Sequence, residues 1–456
     1  MDVLAFYFAT PFRKGIDNDM NKRKGQLHLT VSVQGAGYHP GSWRHPKAEA
    51  EKLHESAYFY RLAQTAERGK FDLLFLDHTS IGEHLRAAGR EPGLLLEPFT
   101  LLGALASITK HIGLGAAIST SVMEPFAAAR QLAVLDHLSG GRTAWLASTV
   151  EHLGPKRRLG GPPELSGREL IERQQEFVEV AGRLWDSWEE GAVVIDREQG
   201  RYIDSDKVHL IHHVGKHFSV RGPLSIPRPP QGHPVRIGLC STSDNWQEPD
   251  FDSIDILFSS QSFIGDAAHA YARVKKRSSL LGRSPDKLKV LTTVLPILGE
   301  TEEKAGKIAS EFRELIEPEA GLAILSDLLI SDLTGYPVDG PLPDIPGLSK
   351  AIKAAGLEGL SLRELSRRIL ELKGTKVFVG TPEQLADWME AWYHDYGSDG
   401  FHIQPSVLPS GLEEFVEQVI PILQHRGLFR TEYTGKTLRD HLGLPIPKNG
   451  RLRKEG

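Results

Sequence analysis

Cysteine is nearly absent: Cys240 stands alone in 456 residues. One thiol excludes an intrachain disulfide and a thiolate metal cluster, and it suits a reducing compartment. Charge of one sign is not in excess. A formal net charge of -5 at pH 7 leaves no nucleic-acid footprint. No run of about 18 apolar residues occurs, so no membrane span is expected. The opening MDVLAFYFATPFRKG lacks the basic start, apolar stretch and small-residue cleavage site of a signal peptide. Solenoid repeats are missing too. These absences make a cytoplasmic location the expectation, with neither nucleic acid nor membrane as a partner. What is present is an ordinary globular composition, 40% hydrophobic and 25% charged, on a chain long enough to bury a large core.

Short apolar runs alternate with helical patterns. The runs Leu27–Val33, Phe71–Leu76, Ile112–Ile118, Thr143–Ala147, Val235–Leu239, Ile254–Phe258, Val290–Ile297 and Gly400–Gln404 read as strands buried on both faces. Between Glu172 and Trp188 the apolar residues Phe177, Val180, Ala181, Leu184 and Trp185 recur at helical spacing. A second helix is expected over Pro382–Trp392, with Thr381 as N-cap and Pro382 at the first helical position. A third runs from Gly411 to Gln424.

Eight strand–helix repeats imply parallel pairing with crossover helices. An open doubly wound sheet and a closed (β/α)8 TIM barrel both fit. The chain exceeds the roughly 250 residues of a minimal barrel, and the excess has visible places. Residues 305–373 are helix-rich without strand pattern, 153–170 are basic and rich in Gly and Pro, and 189–233 are polar. These read as helical and loop insertions, near 153–233 and 305–373, in a single domain spanning 1–456. The C-terminal extension 426–456 carries charge and turn residues, and it is expected on the outside or against a partner.

The run FDLLFL stops at Asp77-His78. In a barrel, strand C-termini form the active-site face, so this pair would stand at the mouth. The plainer alternative is that the two cap the next segment and bond each other. Other candidates are weaker. His209, His212 and His213 in HLIHH lack a carboxylate at helical distance, so a solvated loop outweighs a metal site and no metal is expected. GLGAA at 113–117 lies inside a strand pattern and lacks dinucleotide-loop spacing. KRSSLLGRSP at 276–285 reads as a helix end, and Trp388 with Trp392 as helix packing. Glu97-Pro98 and Glu124-Pro125 read as main-chain orienters.

Several stretches together resemble one family. They are HPGSWRHP (39–46), YRLAQTAERGKFDLLFL (60–76), LEPFTLLGALASITKHIGLGAAISTS (96–121), ARQLAVLDHLSGGRTAW (129–145), EFVEVAGRLWDSW (176–188), GKHFSVRGPLSIPRPPQGHPV (215–235), VGTPEQLADWMEAW (379–392) and the segment 408–444. The chain is similar to the flavin-dependent monooxygenases of the nitrilotriacetate monooxygenase, dibenzothiophene-sulfone monooxygenase and pristinamycin synthase group, within the bacterial-luciferase-like superfamily. The resemblance implies a (β/α)8 barrel with flavin across its C-terminal mouth. It implies reduced FMN supplied by a separate NAD(P)H:flavin reductase, reaction with O2 through a C4a-peroxyflavin, and a small organic substrate. It also implies a homodimer or homotetramer.

The sequence departs from the family at flavin-facing positions. The family's Gly-Trp-Asn-Val-Val-Thr-Ser is Ala144-Trp145-Leu146-Ala147-Ser148-Thr149-Val150, so a usual polar flavin contact is Leu146. The Arg-Tyr ahead of EFVEV is Leu170-Ile171, and Gln-Ala-Gly-Ser-Ser is Gly238-Leu239-Cys240-Ser241-Thr242. Where the family has Phe-Ala-Asp, this chain has Leu76-Asp77-His78, like the wider superfamily. A His titrates near neutral pH and a carboxylate can orient it, so His78 is the catalytic candidate with Asp77 as orienter. Asp77, His78, Leu146, Ser148, Ser241 and Thr242 are expected around the flavin, and Trp43, Arg44 and His45 on the substrate side. Arg157, Arg158 or the Gly160-Gly161 loop could replace lost contacts. Two alternatives accompany the oxygenase: a deazaflavin-dependent oxidoreductase on the same barrel, and a non-catalytic barrel that has lost flavin.

Overall fold

A computed structural model describes residues 23, 25–77, 96–149, 165, 167–240, 251–261, 264–329, 333, 335–339, 348, 352, 359–368 and 376–450. Eight parallel strands close on themselves. They are β1 (His28–Val33), β2 (Leu73–Leu76), β3 (Gly113–Ser119), β4 (Thr143–Ser148), β9 (Val235–Cys240), β10 (Ile256–Ser259), β11 (Lys289–Leu298) and β13 (Gly400–Ile403). Closure is the pairing of β1 with both β2 and β13, His28 opposite Gly400 and Thr30 opposite Leu73. The expected strands are all present, and the closed barrel replaces the open sheet. β5 (Val193–Asp196) with β6 (Arg201–Ile203), and β7 (His213–Val214) with β8 (Ser219–Val220), form two small antiparallel ribbons in the 189–233 stretch.

Alternation along the strands sorts residues to two sides. Leu29, Val31, Leu74, Leu76, Leu114, Ala116, Ile118 and Trp145 face outward into the main core with the helices. Leu73, Phe75, Ala144, Leu146, Val235, Ile237, Ile256, Phe258 and Leu291 fill the inside. The outer layer includes α1 (Ser56–Arg68), α2 (Pro98–Ile108), α3 (Pro125–Ser139), α4 (Gly167–Trp185) and α5 (Ile264–Leu280). Glu97 caps α2, its carboxylate accepting from Phe99 N at 3.1 Å and Thr100 N at 2.7 Å, with Pro98 at the start. Phe177, Val180, Ala181, Leu184 and Trp185 are the buried stripe of α4, as their spacing required.

Two findings went beyond the sequence reading. β11 runs for 10 residues. Its first half completes the barrel, and Val294–Leu298 pair with an additional strand, β12 (Lys376–Gly380). Beside it, α6 (Glu302–Glu314), α7 (Pro318–Leu329) and α8 (Leu362–Arg367) accompany a separate small core containing Ile316, Leu322, Leu325, Leu362 and Leu365. The second finding concerns the C-terminal segment, expected on the outside or against a partner. After α9 (Pro382–His394), α10 (Ser410–Glu414), a π turn Phe415–Val419 and α11 (Ile420–His425), α12 (Leu438–His441) closes the lower end of the barrel. Leu438, Leu442 and Leu444 join the interior cluster. Arg430 pairs with Asp72, and Arg439 Nη2 lies 2.8 Å from Asp255 Oδ2, both acids preceding barrel strands. Apolar side chains exclude water from an otherwise open lower end, while the arginines satisfy carboxylates that burial would penalise.

Candidate active site

The inward alternation continues to the strand C-termini. It gathers Gln34 after β1, Asp77 after β2, Ser119 of β3, Ser148 of β4, Leu239 of β9 and Gln404 after β13 at the barrel mouth. Beneath them the interior is mostly apolar, with Phe75, Leu146, Ile237 and Phe258 around the buried pair Thr30 and His402. A polar rim over an apolar floor is the usual make-up of a small-molecule site.

Tyr38, in the loop after β1, organises one side of this rim. Its hydroxyl donates to Asp77 Oδ2 at 2.6 Å. A phenol has a single proton, so Ser32 Oγ, also bonded to the Tyr38 oxygen, must donate to it, and Gln404 bonds there as well. Burial, followed by the Asp77 charge, raises the Tyr38 pKa well above its ordinary value. Tyr38 therefore stays protonated.

His402 of β13 lies on the floor. Its Nδ1 is 2.8 Å from Thr30 Oγ1. Its ring stacks on Phe258 at 3.8 Å between centroids and 17° between planes. Burial lowers its pKa to about 3, against the opposing pull of Asp77, so the imidazole is neutral at physiological pH. On β3, the strand next to β2, stands Ser119, whose Oγ is buried with no hydrogen-bond partner among the described residues. Leu239 is 41% exposed although its alternation aims it inward, which marks the mouth as open.

The second layer ties β3, β4 and α4 together. Thr120 N donates to Ser148 O at 2.8 Å, Arg173 Nε to Thr120 O at 3.1 Å, and Gln174 Nε2 to Ala147 O at 2.8 Å. The Arg173 guanidinium lies over Phe218 and 3.8 Å from Glu124, and burial lowers its pKa. This cation bonded to the β3 exit is a candidate for holding a phosphate.

The sequence candidates distribute unevenly. Asp77, Leu146 and Ser148 share the interior face. Ser148 Oγ donates to Thr149 O at 3.1 Å. His78, Ser241, Thr242, Arg157, Arg158 and Gly160-Gly161 lie outside the described residues. Arg44 Nη1 donates to Leu315 O at 2.8 Å and lies 3.6 Å from Glu317, and His45 stacks on Phe312 at 4.5 Å. Trp43 is 37% exposed beside them. Arg44 and His45 engage the segment around α6 and α7, while Tyr38 of the same loop reaches the rim. Ile171, where the family has Tyr, is exposed on α4.

Of HLIHH, His209 bonds Glu189 at 2.6 Å and His213 bonds Glu176 at 2.9 Å. Arg283 pairs with Asp255 at the lower end, away from the mouth. Trp388 packs between Trp392 and Phe401. Tyr38, His402, Ser119 and Arg173 were not singled out from sequence. Only His402 left a trace there, as a polar residue inside the run FHI.

A closed parallel (β/α)8 barrel with a polar rim at its strand C-termini defines a barrel enzyme with its site at the mouth. Residues 28–400 match the family model described as luciferase-like monooxygenase, and the chain belongs to that family. It is 42% identical over 443 residues to N-acetyl-S-(2-succino)cysteine monooxygenase of Bacillus subtilis, covering 94% of this chain and 99% of that one. It is 41% identical over 444 residues to nitrilotriacetate monooxygenase component A of Aminobacter aminovorans, covering 93% and 98%. A solved riboflavin lyase, described with modified FMN and riboflavin, superposes with a TM-score of 0.80 at 27% identity, covering 93% of this chain and 97% of that one. The resemblance read from the sequence is therefore borne out. The protein is a flavin-dependent monooxygenase, an oxidoreductase, and the deazaflavin alternative is not favoured.

The residues present suit a flavin. An open mouth with exposed Leu239 and an apolar floor of Leu146, Phe75 and Phe258 can cover a flat aromatic ring. The orphaned Ser119 hydroxyl, Gln34 and Gln404 offer bonds to its polar edges. No helix among the described residues is long and apolar enough to cross a membrane.

Proposed function

We propose that the protein binds reduced FMN across the barrel mouth and uses O2 to oxygenate a small organic substrate. Reduced FMN, when bound, supplies the electrons with which O2 gives one oxygen atom to the substrate and the other to water. The observation that carries this reading is the mouth itself, with its rim of Tyr38, Asp77, Ser119 and Ser148 over an apolar floor in a chain of this family.

The side chains have distinct parts in this proposal. Asp77, Leu146, Ser148, Ser241 and Thr242 surround the flavin, with Arg173 added as a phosphate partner. His78 handles a proton at an imidazole nitrogen and Asp77 orients it. Trp43, Arg44 and His45 serve the substrate side, where their loop joins the rim to α6 and α7. Leu239 and the floor exclude water from the reacting atoms. A separate NAD(P)H:flavin reductase delivers the cofactor, in keeping with a relative described as component A. The proposal further takes residues 1–456 as one barrel domain with insertions near 153–233 and 305–373 and an extension 426–456. It takes the protein as a cytoplasmic homodimer or homotetramer.

The test is anaerobic titration with reduced and oxidised FMN, followed by O2. Tighter binding of the reduced form and oxygen uptake on mixing are expected. A folded protein that binds neither form would overturn the proposal. His78→Ala should abolish substrate oxygenation while leaving flavin affinity within a few fold, and unchanged turnover would remove His78 from the mechanism.

A further inference from the structure

Tyr38 lies one residue before the first stretch that resembles the family, and its placement is unusually well fixed. Its loop is laced to the chain leaving β13. Tyr38 N donates to Pro405 O at 2.9 Å, His39 N to Ser406 O at 3.2 Å, and Leu408 N to Ala36 O at 2.7 Å. Tyr58 Oη donates to Gly35 O at 3.0 Å from α1. Gly37 adopts φ +135°, and a Cβ there would stand 2.5 Å from Ser406 O. Glycine thus permits a backbone approach that another residue would block. The Tyr38 ring packs against the cluster of Leu295, Ile297, Phe312 and Val407, so the phenol has little rotational freedom.

All of this rigidity converges on one bond, from the Tyr38 hydroxyl to Asp77 Oδ2 at 2.6 Å. We propose that Tyr38 is a positioning residue for the oxygenation, holding the Asp77 carboxylate in one orientation at the barrel mouth. The inference rests on the reading of Asp77 as part of the flavin-facing rim. The direction of the hydrogen bonds supports it. The phenol proton goes to the carboxylate, while Ser32 and Gln404 bond to the phenol oxygen. Swinging Asp77 away would leave the buried phenol proton without its acceptor, which is costly in a water-poor setting. Preorganised support of this kind is what keeps a reacting group within the tolerance of its chemistry.

Two measurements on the protein test the inference. The first is a double-mutant cycle of Tyr38→Phe and Asp77→Asn, scored by substrate oxygenation and by anaerobic affinity for reduced FMN. Tyr38→Phe keeps the packed ring and deletes the donor. It should lower kcat by about tenfold or more, with KM and flavin affinity within about threefold, and add little to Asp77→Asn. Fully additive effects, or normal turnover in Tyr38→Phe, would overturn the inference.

The second measurement needs no flavin. Ultraviolet absorbance titration of the protein should show one phenol ionising at lower pH in Asp77→Asn than in the parent, because a carboxylate charge no longer opposes phenolate formation. An unchanged titration in a folded variant would refute the contact. If the parent binds no reduced FMN, the oxygenase reading fails by itself. The Tyr38–Asp77 link then stands or falls on the absorbance titration.

Discussion

At the residue scale, position 146 shows how a single side chain can carry information about a cofactor. Alternation along β4 aims Leu146 into the barrel, and it packs with Ile237 and Phe258. The family resemblance puts Asn at this position. Leu146→Asn should lower the stability of the flavin-free protein by about 1–3 kcal/mol, because a buried amide without partners is penalised. The same amide should strengthen FMN binding if the ring lies above it. Thermal melts with and without FMN check both halves. A variant that gains no extra stabilisation from FMN relative to the parent would show that residue 146 does not meet the flavin. Asp77 was legible because it ends the apolar run FDLLFL, and Leu146 and Ser148 because the family resemblance covers their strand. Tyr38 and Ser119 were not, since a loop tyrosine or a strand serine looks the same wherever its partner is.

At the element scale, caps and stripes were the readable features. Thr381 caps α9 as expected. Its hydroxyl accepts from Gln384 N, and the Gln384 side chain returns to Thr381 N at 3.0 Å. Thr381→Ala should destabilise the protein by about 1 kcal/mol, with the barrel mouth unaffected. Urea unfolding compared with flavin affinity separates the two, and a loss of affinity would mean that α9 supports the site. β12 escaped notice because Val377, Phe378 and Val379 form too short a run between polar neighbours. Pairing with the second half of β11 makes it a strand, and that pairing is a tertiary matter.

At the scale of the whole molecule, the lower end and the buried histidines set stability. Leu438 is fully buried where the barrel closes. Leu438→Ala should cost about 2–5 kcal/mol, the range for a core leucine, without altering residues of the mouth. Chemical denaturation reads the cost, and a change below about 1 kcal/mol would show that the closure is loosely packed.

Acid should act through groups that burial keeps neutral. His39 and His402 have pKa values lowered to about 3, and His441 to about 4, each chiefly by desolvation. The unfolded chain takes up these protons near pH 6.5 and the native state does not. Stability should therefore be full above about pH 6.5 and fall as pH drops toward 4, by up to about 1.4 kcal/mol per pH unit for each histidine. Asp399 acts at lower pH. Despite burial, which raises it, Lys275 and Arg23 hold its pKa at about 2. Its contribution is present above the ordinary carboxylate range and is lost as pH falls from about 4 toward 2. Denaturation midpoints at pH 7, 6 and 5 test the histidine part, and a flat profile would contradict it.

The sequence by itself determined the strands, the amphipathic helices and the parallel α/β order, because short-range periodicity records which faces are buried. Its ordered stretches also carried the family. Tertiary structure decided the rest. Whether eight strands close depends on β1 meeting β13, a pairing between residues far apart in the chain. The C-terminal segment became the seal of the barrel because Leu438, Leu442 and Leu444 find an apolar interior there and the arginines find buried acids. The rim was assembled in the same way, from strand ends separated by hundreds of residues. Their meeting is set by closure and packing, which local sequence does not encode.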